Sequence, residues 1–484
     1  MAEVVSAFKI VVVDDDPTGS QTVHSCPLLL RWDQTSLRWG LAHPSPLLFL
    51  LANTRALAPQ AAAERVRAIA VALRQVLAEA RQEGWAPTLL LVSRGDSTLR
   101  GHTPLEVDVL AAELGPFDAT FLVPAFLPGG RTTVAGVHRL HGEPVHTTAF
   151  ARDGLFSYGT SYLPAWLEEK SGGRIAASAV QHLDGAVLDA AAQAAPAGAA
   201  CRHLRDWLAG LQGNGWVAVD GERPQQLAVL AAVVRELMAP SGTGRVGRPR
   251  RFLSQSAASW IEALAQLPPQ PRSGSALVAL RRPGPDGAPL PGLVLVGSHV
   301  PLADAQLSQL LLDPACGVVT VEVTAVAQAL QAADAPAAQE RLVQGWQQQL
   351  EAVLAAGRTP VLATSRGEVS CTSAMERRRL GQALATLMAT VAAALAPRLG
   401  YLISKGGITS HTLLADGLQL GWVELQGQLL PGLSLVLTPA DAAVPALPVL
   451  TFPGNLGDAG TLAEAWRLME SAPRLAARSA SGED

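Results

Sequence analysis

Short apolar runs recur along the first half of the chain, each ending in polar residues and a turn: KIVVVD (9–14), LLFLLAN (47–53), TLLLVSRGD (88–96), ATFLVPAF (119–126) and WVAVDG (216–221). Unbroken apolar character of this kind marks strands buried on both faces, as in a parallel sheet covered by helices. Residues 58–84, APQAAAERVRAIAVALRQVLAEARQEG, carry apolar side chains at helical spacing and stop at Gly84, a residue suited to a helix C-terminus. A second series follows: GLVLVGSHV (292–300), GVVTVEV (317–323), TPVLATS (359–365) and GYLISKGG (400–407). The alternation of strand and helix predicts two α/β domains with mostly parallel sheets. Periodicity breaks in LPPQPRSGSALVALRRPGPDGAPLPG (267–292), where proline and glycine cluster. That break divides the chain into an N-terminal domain, 1–275, and a C-terminal domain, 276–484.

Composition narrows the function. A chain of 484 residues exceeds one ordinary core, and 49% hydrophobic with only 5% aromatic residues suits a helix-rich α/β protein. The net charge is −4 and the basic residues are scattered, so no global field draws nucleic acid or an anionic membrane. The expected partner is a small molecule, and a homodimer is left open. Cys26, Cys201, Cys316 and Cys371 lie far apart and form neither a zinc motif nor a disulfide framework. The N-terminal MAEVVSAFKI lacks a signal-peptide pattern, and no uninterrupted apolar run is long enough to span a bilayer, which predicts a cytoplasmic location.

The polar residues at the strand ends carry the candidate chemistry, because ligands of open α/β sheets bind there. Asp14, Asp15 and Asp16 close the first apolar run and lead into Pro17-Thr18-Gly19. One Asp would cap a turn, whereas three adjacent acids repel one another; carboxylates there can bind sugar hydroxyls or accept a proton. SRGDSTLRGH (93–102) gathers Arg94, Asp96, Ser97, Thr98, Arg100 and His102, and its two guanidinium groups suit a carboxylate or phosphate oxygens. VPAFLPGGRTTVAGVH (123–138) adds Arg131 and two threonines. YLISKGGITSHTLL (401–414) runs from strand through Gly406-Gly407 into a helix, aiming backbone N–H groups at an anion, with Lys405 as a point charge. GSHVP (297–301) and FPGNLGD (452–458) are further glycine turns that complete a nucleotide pocket.

Other motifs carry less. GTGRVG (242–247) matches a dinucleotide pattern but follows a helical segment and precedes arginine and proline. His138, His141, His146 and Glu143 do not have zinc-ligand spacing. Neither GxSxG nor GxxxxGK[ST] is present.

DDxTG at Asp15 to Gly19, DSTLRG at Asp96 to Gly101, PAFxxxGRTTxxGVH at Pro124 to His138, KGGITS at Lys405 to Ser410 and FPGNxGD at Phe452 to Asp458 together resemble the four-carbon acid sugar kinase family. The resemblance spans nearly the whole chain. It implies a two-domain ATP-dependent kinase of threonate-, erythronate- or oxo-tetronate-type acids, with its active site in the cleft between the domains. It implies a sugar-acid site built from Asp15, Asp16, Arg94, Asp96, Ser97, Arg100 and Arg131, with Asp15 or Asp16 taking the proton of the terminal hydroxyl. ATP would be held by Ser298, Lys405, Gly406, Gly407, Ile408, Thr409 and Gly454, with Mg²⁺ bridging its phosphates. Two features depart from the family pattern: Arg94 stands where lysine is usual, and DDDPTGSQTVH replaces DDxTGAxD. Two rivals are a non-catalytic regulatory protein that binds the sugar acid and nucleotide, and a hydroxy-acid oxidoreductase. The intact KGGITS and FPGNLGD argue against the first, and DDDPTGS in place of GxGxxG after the first strand argues against the second.

Overall fold

The computed structural model describes residues 8–17, 19–20, 22–239, 248–366 and 373–471. Thr18, the GTGRVG loop at 242–247 and Cys371 lie outside the described residues. The chain forms two compact units, Cys26–Pro268 with the residues up to Thr22, and Pro269 onward with Val23–Ser25. The division at Pro268/Pro269 falls ahead of the 275/276 boundary expected from the sequence.

The first unit contains β1 (Phe8–Asp14), β2 (Cys26–Leu29), β3 (Leu47–Leu51), β4 (Thr88–Arg94), β5 (Ala119–Val123), the short ribbon β6 (Arg131–Val134), β7 (Val137–Leu140) and β8 (Glu143–Pro144), then β9 (Gln181–Leu183), β10 (Gly215–Val219) and β11 (Phe252–Ser256). Its main sheet runs β2-β3-β1-β4-β11-β5-β10-β9, and the pairs within it are parallel. Ile10, Val11 and Val12 of β1 are wholly buried, as a central strand covered on both faces requires. The helix Pro59–Gln82 buries Val66, Ile69, Leu73, Val76 and Leu77 along one face, the stripe that its periodicity predicts. After β1 the chain crosses to β2 and β3 on one side; after β4 it crosses to the other. β1 and β4 therefore flank a topological switch point, with Asp14 in register with Arg94 at their carboxyl ends.

The second unit repeats this logic with other residues. It contains β12 (Gly292–Val296), β13 (Cys316–Val321), β14 (Thr359–Thr364), β15 (Tyr401–Lys405), β16 (Trp422–Leu430), β17 (Leu433–Leu437) and β18 (Pro448–Phe452). The order is β13-β14-β12-β15-β18-β17-β16, parallel as far as β18 and antiparallel beyond it. β12 and β15 flank its switch point, with Val296 in register with Lys405. Among the described residues, Met375–Arg398 is the one helical stretch long and apolar enough to cross a membrane by length and composition. Its Leu384, Met388, Val391 and Leu395 are buried within the unit, which is the behaviour of a core helix.

Candidate active site

At the first switch point the three acids take different places. Asp14 ends β1 and is buried; its Oδ1 accepts the Asp16 N–H at 3.3 Å, and its Oδ2 has no partner. A side chain on Gly19 would begin 2.2 Å from these oxygens, so only glycine lets the loop fold back over the carboxyl. Burial, partly opposed by Arg94, pushes Asp14 up to about 8. It is therefore a neutral carboxylic acid at pH 7. Asp15 is also buried, and Arg55 grips both its oxygens, Nε to Oδ2 at 3.0 Å and Nη2 to Oδ1 at 2.5 Å. Asp16 is about a fifth exposed and accepts Arg55 Nη1 on Oδ2 at 2.9 Å.

Arg94 closes β4 beneath this cluster. Its Nη1 lies 3.6 Å from Asp15 and 3.8 Å from Asp14, and its buried Nε has no partner. Asp96 accepts from Arg100 Nε at 2.6 Å and from the Thr98 hydroxyl. Burial alone would raise its pKa, but Arg55, Arg100 and Thr98 outweigh it and hold the carboxylate well below the usual range. Arg100 also lies 3.6 Å from Asp153 and stacks over Phe150. Arg131 donates to the Gly129 carbonyl at 2.5 Å, stacks over Phe126 and keeps a buried, unpartnered Nε. Ser97 is buried, and its carbonyl accepts His138 Nε2 at 2.8 Å. The structure thus brings together the acids and arginines of three separate sequence motifs.

His138 is a framework residue. Its two ring nitrogens are taken by the Ser97 carbonyl and the Thr133 hydroxyl, and burial lowers it to about 4, so it stays neutral. Among the described residues no three His, Cys, Asp or Glu side chains form a group able to hold a metal ion.

Three further groups belong to this site and were not anticipated. Arg55 follows β3, where Asn53 at φ 49° turns the chain into a 3₁₀ turn over Thr54–Ala56. Its only signal in the sequence is a basic residue just after the run LLFLLAN. Glu106, in the first turn of the helix Leu105–Leu114, accepts the Ser93 hydroxyl at 3.4 Å; burial, with the Asp15 charge adding to it, pushes it up to about 7. Gln255 and Ser256 end β11 and share a small cavity with Gly95, Asp96, Arg100 and Trp166. Gln255 Oε1, Ser256 Oγ and Trp166 Nε1 are buried without partners, and buried polar atoms of this kind call for a bound molecule or water.

The second switch point is built from close approaches. Gly406 has φ +116°, and a side chain there would crowd Thr409 Oγ1 at 3.2 Å and Ser298 Cβ at 3.5 Å. A side chain on Gly297 would meet Thr409 Oγ1 at 2.1 Å, and one on Gly454 would meet Ser298 Oγ at 2.9 Å. Ser298, Gly406, Thr409 and Gly454 therefore converge, with Gly407 starting the helix Gly407–Thr412. Ile408 is exposed and Thr409 buried. Lys405 departs from expectation. It is wholly buried, stacked 3.9 Å from the Phe452 ring, with Nζ donating to the carbonyls of Pro453 at 3.0 Å and Gly454 at 3.3 Å. Burial lowers it to about 7. Instead of presenting a charge to a ligand, it fastens the Pro453–Gly454 turn from below, because the strand residue points into the core beneath the glycines.

Comparison with known proteins follows the same division. Residues 10–263 match the sugar-binding N-terminal domain model, and residues 293–462 match the nucleotide-binding C-terminal domain model. The chain is 30% identical over 428 residues to a D-threonate kinase of Cupriavidus necator, covering 86% of each protein. The chain belongs to the four-carbon acid sugar kinase family. Against a D-erythronate kinase of Heliobacterium modesticaldum, this kinase is 32% identical over 152 residues, 30% of the chain and 32% of that protein. A solved Salmonella typhimurium protein shares its fold with a TM-score of 0.62 at 18% identity, covering 95% of this chain and 98% of that one. A solved Haemophilus influenzae protein does so with a TM-score of 0.58 at 15% identity, covering 95% and 100%.

For a four-carbon acid sugar kinase the cradle has a clear fit. At Gly297, Gly406 and Gly454 a Cβ would press on Thr409 or Ser298, so only glycine lets these hydroxyl residues and the three backbones pack together, with backbone N–H groups of the kind that phosphate oxygens accept from. Asp304 is paired with Arg366, and Asp458 accepts the Gly460 N–H and the Thr461 hydroxyl just ahead of the helix Thr461–Glu470. With no acidic cage among the described residues, a Mg²⁺ ion fits here only as the partner of nucleotide phosphates, the mode it commonly adopts.

Proposed function

We infer that this kinase uses ATP to phosphorylate the terminal hydroxyl of a four-carbon sugar acid of the threonate or erythronate type. The observation that carries this reading is the β1/β4 switch point. It places three carboxyls against Arg55 and Arg94 and leaves Arg94 Nε unpartnered beside them. A sugar acid presents a carboxylate for guanidinium and hydroxyls for carboxyl oxygens, so one molecule satisfies both. Arg94 is the best-placed carboxylate ligand, since its ion pairs are long and Arg100 is already committed to Asp96. Asp96, Ser97 and Arg131 complete the wall of the sugar-acid site.

Of the two candidate bases, Asp16 fits better. Asp15 is buried with both oxygens in the grip of Arg55, whereas Asp16 is about a fifth exposed. Asp16 would orient the acceptor hydroxyl and take its proton as the phosphoryl group arrives. The neutral Asp14 and the partly buried Arg55 keep Asp15 and Asp16 in place for this. In the second unit Ser298, Gly406, Gly407, Ile408, Thr409 and Gly454 would hold the nucleotide, with Lys405 fixing the turn below. When bound, Mg²⁺ supplies charge neutralisation on the phosphates. Phosphoryl transfer asks mainly for such positioning and charge stabilisation.

The test is ADP release from Mg·ATP by the purified protein against threonate, erythronate, their oxo forms and longer sugar acids. Turnover with a four-carbon acid supports the reading. Release with none of them, or only with longer acids, contradicts it.

A further inference from the structure

The buried position of Lys405 leaves the glycine cradle without the cation expected for it, and another residue at the same edge has the complementary property. Arg366 lies just beyond β14, which pairs with β12 in register Val296↔Ala363, so it reaches the carboxyl ends where Ser298 begins the cradle. Its Nη1 donates to the Ser298 carbonyl at 2.7 Å and to Asp304 Oδ1 at 2.8 Å. Its Nε and Nη2 are both buried and have no partner.

These two nitrogens form one edge of the guanidinium, the edge whose parallel N–H groups match a pair of phosphate or carboxylate oxygens. Arginine cannot shed its charge to escape burial, so two unpaired donors on it are costly unless an anion arrives. The opposite corner is anchored on Ser298, the residue whose side chain abuts Gly454 and faces Gly406. Arg366 is thus held against the cradle itself, and the edge left without a partner suits the cradle's own ligand.

We propose that Arg366 binds the phosphate chain of the nucleoside triphosphate, beyond its first phosphate, through its Nε–Nη2 edge. The assignment rests on the reading of the second unit as the ATP site and adds to it the residue that distinguishes triphosphate from monophosphate. Lys405 then has a purely supporting part, holding the carbonyls of the turn that faces the same ligand.

The experiment is calorimetric titration of Mg·ATP and of AMP into the wild type, Arg366→Ala and Arg366→Gln, with a thermal melt of each protein. Arg366→Gln keeps a polar side chain in the loop, and the melts show whether either variant has lost the fold. Both variants are expected to bind ATP roughly 10- to 100-fold more weakly, the worth of charge-assisted hydrogen bonds, while AMP affinity stays within about threefold of wild type. Added guanidinium ion should restore part of the ATP affinity of Arg366→Ala. Equal ATP binding by wild type and variants, or equal loss of ATP and AMP, overturns the assignment. A wild type that binds neither nucleotide overturns the ATP site as well, and so separates the two failures.

Discussion

The two switch points are equivalent in topology and opposite in chemistry. In the first unit the register pair at the strand ends is Asp14 with Arg94, and charge accumulates there: three carboxyls, Arg55 and Arg94 within one network. In the second the pair is Val296 with Lys405, and the charge is turned inward while glycines let the turns pack closely around Ser298 and Thr409. A small polyhydroxylated acid is recognised by directional side-chain groups, so its site stores charged partners in advance. A phosphate chain carries its own charge and is met by backbone N–H groups that need close approach. A strand-end cation thus takes opposite places in the two units: Arg94 lies beside the carboxyls, whereas Lys405 is buried under the Pro453–Gly454 turn.

Removing Arg55 should have the largest effect on this contrast. Arg55→Ala strips Asp15 and Asp16 of their common counter-charge, and loss of one partner of a buried pair costs about 3–5 kcal/mol. Denaturant unfolding of the variant should show that loss in the transition assigned to the first unit.

Asp14 gives a pH-dependent test. Its folded pKa, near 8, lies above the ordinary 3.8, so its contribution to stability is complete below the unfolded value. It is lost as pH rises toward 8, where the unfolded chain ionises and the folded one resists. Asp14→Asn should therefore be more stable than wild type at pH 8, by on the order of a few kcal/mol, with the gain vanishing near pH 4. Thermal melts across that range check the sign. Glu106, raised to about 7, adds a fall of the same sense in the wild type, below pH 7.

On the other side, Gly406→Ala imposes φ +116° on a residue with a side chain. It should cost about 1–3 kcal/mol and weaken ATP binding, leaving sugar-acid binding intact. The smallest effect is expected from Arg94→Lys, which exchanges a fork for a point charge: KM for the sugar acid should rise roughly tenfold with kcat little changed.

Much of this was legible in the sequence because burial on both faces leaves an apolar run that ends where the site begins. KIVVVD, TLLLVSRGD and GYLISKGG located β1, β4 and β15 and the polar groups after them. β11 was hidden, since FLSQS carries three polar residues within a five-residue strand. Those polar side chains are satisfied or held open by tertiary contacts, such as Trp260 Nε1 on Ser254 Oγ at 3.0 Å, which no local pattern reveals. Arg55 and Arg366 look like ordinary loop arginines until the fold sets one against Asp15 and the other against Ser298. The antiparallel β16–β18 region was not legible in the sequence, because its strands follow one another directly, without the strand-to-helix alternation that marked the others. Lys405 differs from the expectation for a related reason: a residue type declares its charge, but only the packing of Phe452 and the Pro453–Gly454 turn decides which way that charge faces.

The central claim is that the carboxyls of the first switch point handle the acceptor hydroxyl. It is tested most directly by ADP release with the accepted sugar acid, measured side by side for wild type, Asp15→Asn and Asp16→Asn. The account predicts that Asp16→Asn lowers kcat by roughly 10²–10⁴ without weakening ATP binding. Wild-type rates in both variants would contradict it.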